Sequence, residues 1–229
     1  MTLNQGQAAP PWVCLLVALA GMPVGLLMSR RLVTGGYRLD DELSHPPPTV
    51  GWLVAAVVPV LWGVLAWRVG GLSRGAVLPA YLLLAAVGVA LFWVDVDVHR
   101  LPEALTLPCL PAVALLLAIA SATTGDWGAL ARAVACGVAA WVVYVILALA
   151  VPGGLGLGDA TLGGLVSLAL GYLAWGTPVV AFVAAYLVSG AAALVGLALR
   201  RLHLKSDIAF GPYILLGALL ALFVRFQVA

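Results

Sequence analysis

Two carboxylates stand where an apolar chain has little ordinary use for them. Asp95 follows directly on the run Leu91-Phe92-Trp93-Val94, and Asp159 follows Gly156-Leu157-Gly158 as the only formally charged residue between Arg132 and Arg200. Acids that enter or flank apolar spans are costly, which makes them the first candidates for function. Two carboxyl groups in contact do not both ionise. They share one proton, and such a pair can take a proton from water while giving one to a carbonyl. That is the chemistry of an aspartyl protease. On a helix Asp95 and Asp97 stand about 200° apart, so only one of them can face Asp159.

The elements that position these groups must be membrane helices. The chain has 229 residues, 64% apolar and 9% charged, with 11 Lys and Arg against 9 Asp and Glu. A soluble domain carries roughly 25% charged residues, so most of this surface faces something other than water. An ordinary soluble fold, a secreted disulfide scaffold and a disordered tail are excluded. The net charge of +2 is small and scattered, without the basic face that a nucleic-acid partner needs. Cys14, Cys109 and Cys136 lie in apolar runs without C-x-x-C spacing and read as small buried hydrophobes. Residues 1–10 hold no Lys or Arg, so the apolar run that follows reads as a span and not as a secretory signal.

Apolar windows of about 20 residues fall near 11–28, 50–67, 76–95, 104–122, 129–150, 159–175, 177–199 and 208–224. The expected fold is an all-α polytopic transmembrane bundle of about eight helices, one integral membrane domain over 1–229. The loops after odd-numbered spans hold Arg30, Arg31, Arg38, Arg100, Arg200, Arg201 and Lys205. Those after even-numbered spans hold Arg68, Arg74, Arg132 and Arg225. Positive charge stays inside, so the first group should be cytoplasmic. Asp95 and Asp159 both precede or follow loops of that group and are expected at one depth on the cytoplasmic face. The loop 29–49, with Asp40, Asp41, Glu42 and a run of three prolines from Pro46, reads as a short cytoplasmic tether. Gly21 and Gly25 in the first span have the spacing for close packing on a neighbouring helix. Trp52, Trp62, Trp67, Trp93 and Trp175 read as aromatic belts.

Around the two acids the sequence resembles the type IV prepilin peptidases, membrane aspartyl proteases of bacteria and archaea. Asp95 stands six residues before Leu101-Pro102, followed by Glu103-Ala104-Leu105-Thr106-Leu107-Pro108. This is similar to the family pattern D-x-x-x-x-x-L-P-D-x-L-T-L-P. Gly156-Leu157-Gly158-Asp159 matches G-x-G-D, and Phe210-Gly211-Pro212-Tyr213 looks like the F-G-P-[FY] opening of the family's last helix. The resemblance covers roughly residues 76–228. It implies a catalytic pair Asp95 and Asp159, acting at the cytoplasmic side of the cell's inner or plasma membrane. The substrate would be a prepilin or pilin-like precursor that loses a short basic leader.

No metal or organic cofactor is implied, and no nucleic-acid partner. Asp97 and Glu103 are either solvated boundary acids or attract the basic leader. Gly156 and Gly158 either form a simple turn or let an extended substrate come close. In three places the chain departs from the family. Glu103 replaces Asp after Leu-Pro. Thr161 stands where Lys is frequent. The first cytoplasmic loop lacks the Cys tetrad that binds zinc in long members, so N-methylation is not expected. The precursor, whether of a Tad-like pilus, a type IV pilus, a competence system or type II secretion, and the oligomeric state are not encoded in the motifs.

Helix dipoles make the pair unequal. Asp95 near the carboxyl end of its span should hold the shared proton, and Asp159 at the amino end of its span should be the base, although the two titrate together. Other protease chemistries lack their letters. His45, His99 and His203 form no H-E-x-x-H, and no span holds a His or Lys to activate a serine. The alternative from another class is a small proton-coupled transporter or channel using the two acids. Against it stand the absence of repeat symmetry and the place of both acids at a boundary instead of the midplane.

Overall fold

In the computed structural model the described residues are 9–39, 51–71, 75–150, 155–199 and 209–224. They form eight α-helices and no strand: α1 (Pro11–Val33), α2 (Gly51–Val69), α3 (Leu78–Val98), α4 (Glu103–Thr124), α5 (Trp127–Ala150), α6 (Leu157–Leu173), α7 (Gly176–Ala198) and α8 (Gly211–Phe223). Asp40, Asp41, Glu42, the three prolines from Pro46, His45, His203, Arg74, Arg200, Arg201, Lys205 and Arg225 lie outside the described residues. The expected all-α fold is found, and each of the eight apolar windows corresponds to one helix.

Six helices, α1 to α5 and α7, are long and apolar enough to cross a membrane. The other two fall short of the eight spans expected. At 1.5 Å per residue α6 is about 26 Å and α8 about 20 Å, against a hydrocarbon core of about 30 Å. α6 stops where Ala174 turns extended (φ −163°, ψ 158°), and α8 opens on Gly211-Pro212, a proline in its first turn.

No shift in composition marks a boundary, yet the contacts group the chain into two compact units, 1–98 with 108–127, and 99–107 with 128–229. In the first unit the Gly21 and Gly25 spacing seats α1 on α2. A methyl placed on Gly21 would stand 2.9 Å from Pro59 Cα, and one on Gly25 would stand 2.9 Å from the Ala55 carbonyl oxygen. Only glycine allows backbones this close. The Trp62 indole N–H donates to the Leu82 carbonyl at 3.1 Å, tying α2 to α3.

In the second unit α6 is the core. Thirteen of its 17 residues are buried, as expected of a helix apolar on every side. α5 packs on it through glycines. A methyl on Gly163 would enter the Tyr144 ring at 2.5 Å, one on Gly164 would meet the Gly137 carbonyl at 3.3 Å, and one on Gly171 would strike Cys136 at 2.5 Å. At the far end of α6, Arg132 donates from Nε to the Gly171 carbonyl (2.8 Å) and from Nη2 to Tyr172 (2.6 Å). A helix leaves its last carbonyls without intrahelical partners, and here a guanidinium supplies them. α8 meets α7 where Gly217 faces the Ala181 carbonyl.

The cysteines are free thiols, Cys109 and Cys136 buried and Cys14 partly so. Trp52, Trp67 and Trp175 are exposed as belt residues would be. Trp93 is not: it is buried in the first unit.

Candidate active site

Asp95 lies in the last turn of α3 and is 3% exposed. The helix ends at Val98 because His99 takes a positive φ of 52°, the left-handed conformation that commonly terminates helices but usually falls to glycine. Two residues beyond Asp95, on another face of the same turn, Asp97 is occupied from within its own unit. Arg38 donates from Nε to Oδ2 at 2.7 Å and from Nη2 to Oδ1 at 2.5 Å, and the Tyr37 hydroxyl donates to Oδ2 at 2.6 Å. The Arg38 and Asp97 side chains are 4% and 8% exposed. A two-pronged guanidinium–carboxylate contact fixes orientation as well as distance.

Burial raises the Tyr37 pKa above its usual 10, and the hydrogen bond to the Asp97 anion raises it further. The hydroxyl therefore stays a neutral donor at any physiological pH. The same carboxylate raises Arg38 further, chiefly through its hydrogen bond. Trp93, one turn before Asp97, completes the cluster. Its buried indole N–H makes no hydrogen bond of ordinary geometry, but it lies close enough to the Tyr37 hydroxyl to offset part of that rise.

Asp159 is the third residue of α6 and is 8% exposed. Gly156 caps the helix, and its N–H donates to Asp159 Oδ2 at 2.9 Å, while Asp159 N–H donates back to the Gly156 carbonyl at 3.1 Å. This is the acidic half of a capping box; glycine has no side chain to supply the other half. An anion in this place is stabilised both by the donated N–H and by the α6 dipole.

The residues around Asp159 come from all three sequence motifs. A methyl on Gly158 would stand 3.0 Å from Leu101 Cβ, so the leucine of the Leu-Pro motif seats directly on the G-x-G-D backbone. The space beside Gly158, read from sequence as either a simple turn or room for an extended substrate, holds the Leu101 side chain. Four residues after Asp159 and on the same helical face, Gly163 lies under the Tyr144 ring. Tyr144 meets Phe182 edge-on at 5.4 Å between centroids, Phe182 meets Tyr186 at 4.7 Å, and Tyr186 meets Phe210 at 4.9 Å. Tyr213 follows at 6.3 Å from Phe210. The charge of Asp159 is within electrostatic reach of the Tyr144 and Tyr186 hydroxyls. This aromatic wall was not legible beforehand; Phe182 and Tyr186, four apart on α7, are its one visible signal.

Of the remaining candidates, Glu103 is exposed at the first position of α4, where its charge complements the helix amino end. Thr161 turns its hydroxyl back to the Leu157 carbonyl at 3.2 Å. Among the described residues no group of three His, Cys, Asp or Glu is placed to hold a metal ion. Asp95 and Asp97 belong to the first unit, and Glu103, Gly156, Gly158 and Asp159 to the second.

Set against family models, curated proteins and solved structures, the chain matches none.

Proposed function

We propose that the chain is a membrane aspartic endopeptidase of the prepilin-peptidase type, with Asp95 and Asp159 sharing a hydrolytic water at the cytoplasmic face of the inner or plasma membrane. The observation that carries this reading is the meeting of the three motifs around Asp159: Leu101 on Gly158, and Phe210 joined through the ring cluster to Tyr144, which covers Gly163. Motifs scattered over more than 100 residues of chain have no structural need to assemble beside one buried acid. Both members of the proposed pair are buried carboxylates, and Asp159 is the one charged residue of α6.

In the reaction Asp159, stabilised as an anion by Gly156 N–H and the α6 dipole, removes a proton from water. The resulting hydroxide bonds to the scissile carbonyl carbon while Asp95 gives its proton to the carbonyl oxygen. The tetrahedral diol then collapses: the C–N bond breaks, the leaving nitrogen takes the proton that Asp159 gained, and one diol hydroxyl returns its proton to Asp95 as the new carboxyl C=O forms. The substrate class is prepilin or pilin-like precursors with a basic leader.

Purified full-length chain in detergent, mixed with a pilin-like precursor, should release the leader, and Asp95→Ala or Asp159→Ala should each abolish release. Cleavage that survives either substitution overturns the proposal. Proton flux through vesicles that is lost in the same variants, without any cleavage, would establish the transporter alternative instead.

A further inference from the structure

The Arg38–Asp97–Tyr37 cluster ties the segment after α1 to α3, at the opposite end of α3 from the Trp62–Leu82 bond that joins α2 to it. Its place is the last turn of α3, where it matters most for Asp95. A helix end leaves four carbonyls without intrahelical partners and frays first. Here the termination is also strained, since His99 occupies the left-handed region without being glycine. Left to itself, this turn would sample several arrangements, and the Asp95 carboxyl would move with it.

Arg38 and Tyr37 oppose that movement with three contacts on one carboxylate, drawn from the segment that follows α1. The cluster is sheltered, so solvent does little to weaken it. Because Asp95 and Asp97 stand about 200° apart on the helix, the grip falls on the side of the turn away from Asp95.

We infer that Arg38 and Tyr37 are positioning residues: acting through Asp97, they hold the last turn of α3 so that Asp95 is presented in a single geometry. The inference rests on the reading of Asp95 as catalytic. It also reassigns Asp97. Its carboxylate is the fixed point of a brace, not an acid that waits for the basic leader of a substrate.

The test uses the full chain in detergent with a pilin-like precursor, with rates expressed per folded molecule from a thermal melt. Arg38→Ala and Asp97→Asn should lower kcat by about 10- to 100-fold with KM changed less than about twofold, the size expected of an ångström-scale misplacement. The double variant should be no slower than the slower single, because both remove one device. Arg38→Lys, which keeps the charge but not the fork, should recover part of the rate, and Tyr37→Phe should cost the least.

Hydrogen exchange of the amides at 95–98, read by mass spectrometry, should quicken in Arg38→Ala whether or not the enzyme turns over. Unchanged kcat per folded molecule reduces the cluster to a plain stabilising pair and overturns the inference. So does a raised KM at constant kcat, which would mark Asp97 as a substrate contact. If Asp95→Asn cleaves normally, the catalytic reading falls, while faster exchange in Arg38→Ala would still show the brace acting on the turn. Unchanged exchange sinks the brace itself.

Discussion

At the end of α3 the residue two positions beyond the buried aspartate is gripped by partners 59 and 60 residues away in sequence. At the start of α6 the aspartate is held by the backbone three residues before it and by the helix it begins. The first arrangement depends on tertiary structure and is strained at His99. The second forms as soon as the helix does. In the proposed pair, the same contrast separates the two roles. A carboxylate that receives a backbone N–H at a helix amino end is suited to be the anion, and one in a last turn, facing the negative end of the dipole, is suited to keep the proton.

The largest effect that would break this contrast lies in the acids themselves. Asp95→Asn and Asp159→Asn should each slow cleavage by at least about 10³-fold. Infrared spectra should show a protonated carboxyl band that disappears with Asp95→Asn and persists with Asp159→Asn. A band lost only with Asp159→Asn reverses the roles. Gly163→Ala comes next. Its methyl would fall 2.5 Å from the Tyr144 ring beside Asp159, and overpacking of this kind costs about 1–3 kcal/mol. A thermal melt should show the loss, and an unchanged melting temperature would mean that the ring moves aside freely.

Arg132→Met removes the donors at the other end of α6 and should destabilise by about 1–2 kcal/mol. The smallest effect sharpens the α3 side. His99→Gly relieves the left-handed strain of about 1–2 kcal/mol but loosens the unfolded chain, so a net gain of about 0.5 kcal/mol is expected in the same melt. A clear loss there would show that the imidazole itself holds the turn.

How much of this was legible in the sequence varied with distance along the chain. Each of the eight helices was marked by its apolar window, because the bilayer requirement acts on contiguous residues. Helix ends were less so. α1 runs to Val33, past Ser29, Arg30 and Arg31, since charge ends a hydrophobic window without ending a helix; Gly35, at φ 67°, stands just beyond the true end. α3 likewise encloses Asp95 and Asp97. The capping role of Asp159 was foreseeable from its three-residue spacing to Gly156. The Arg38–Asp97 contact was not, because a pairing across 59 positions leaves no periodic trace. Trp93 was misread as a belt residue for a related reason: position near a span end says nothing about which side of the helix is covered.

The guanidinium of Arg132 has a mechanical consequence. With Asp159 closing one terminus and Arg132 the other, α6 cannot unwind at either tip without breaking a charged contact. It serves as a stator. The motion that the proposed peptidase function would need to admit a peptide is then to be sought outside residues 156–173.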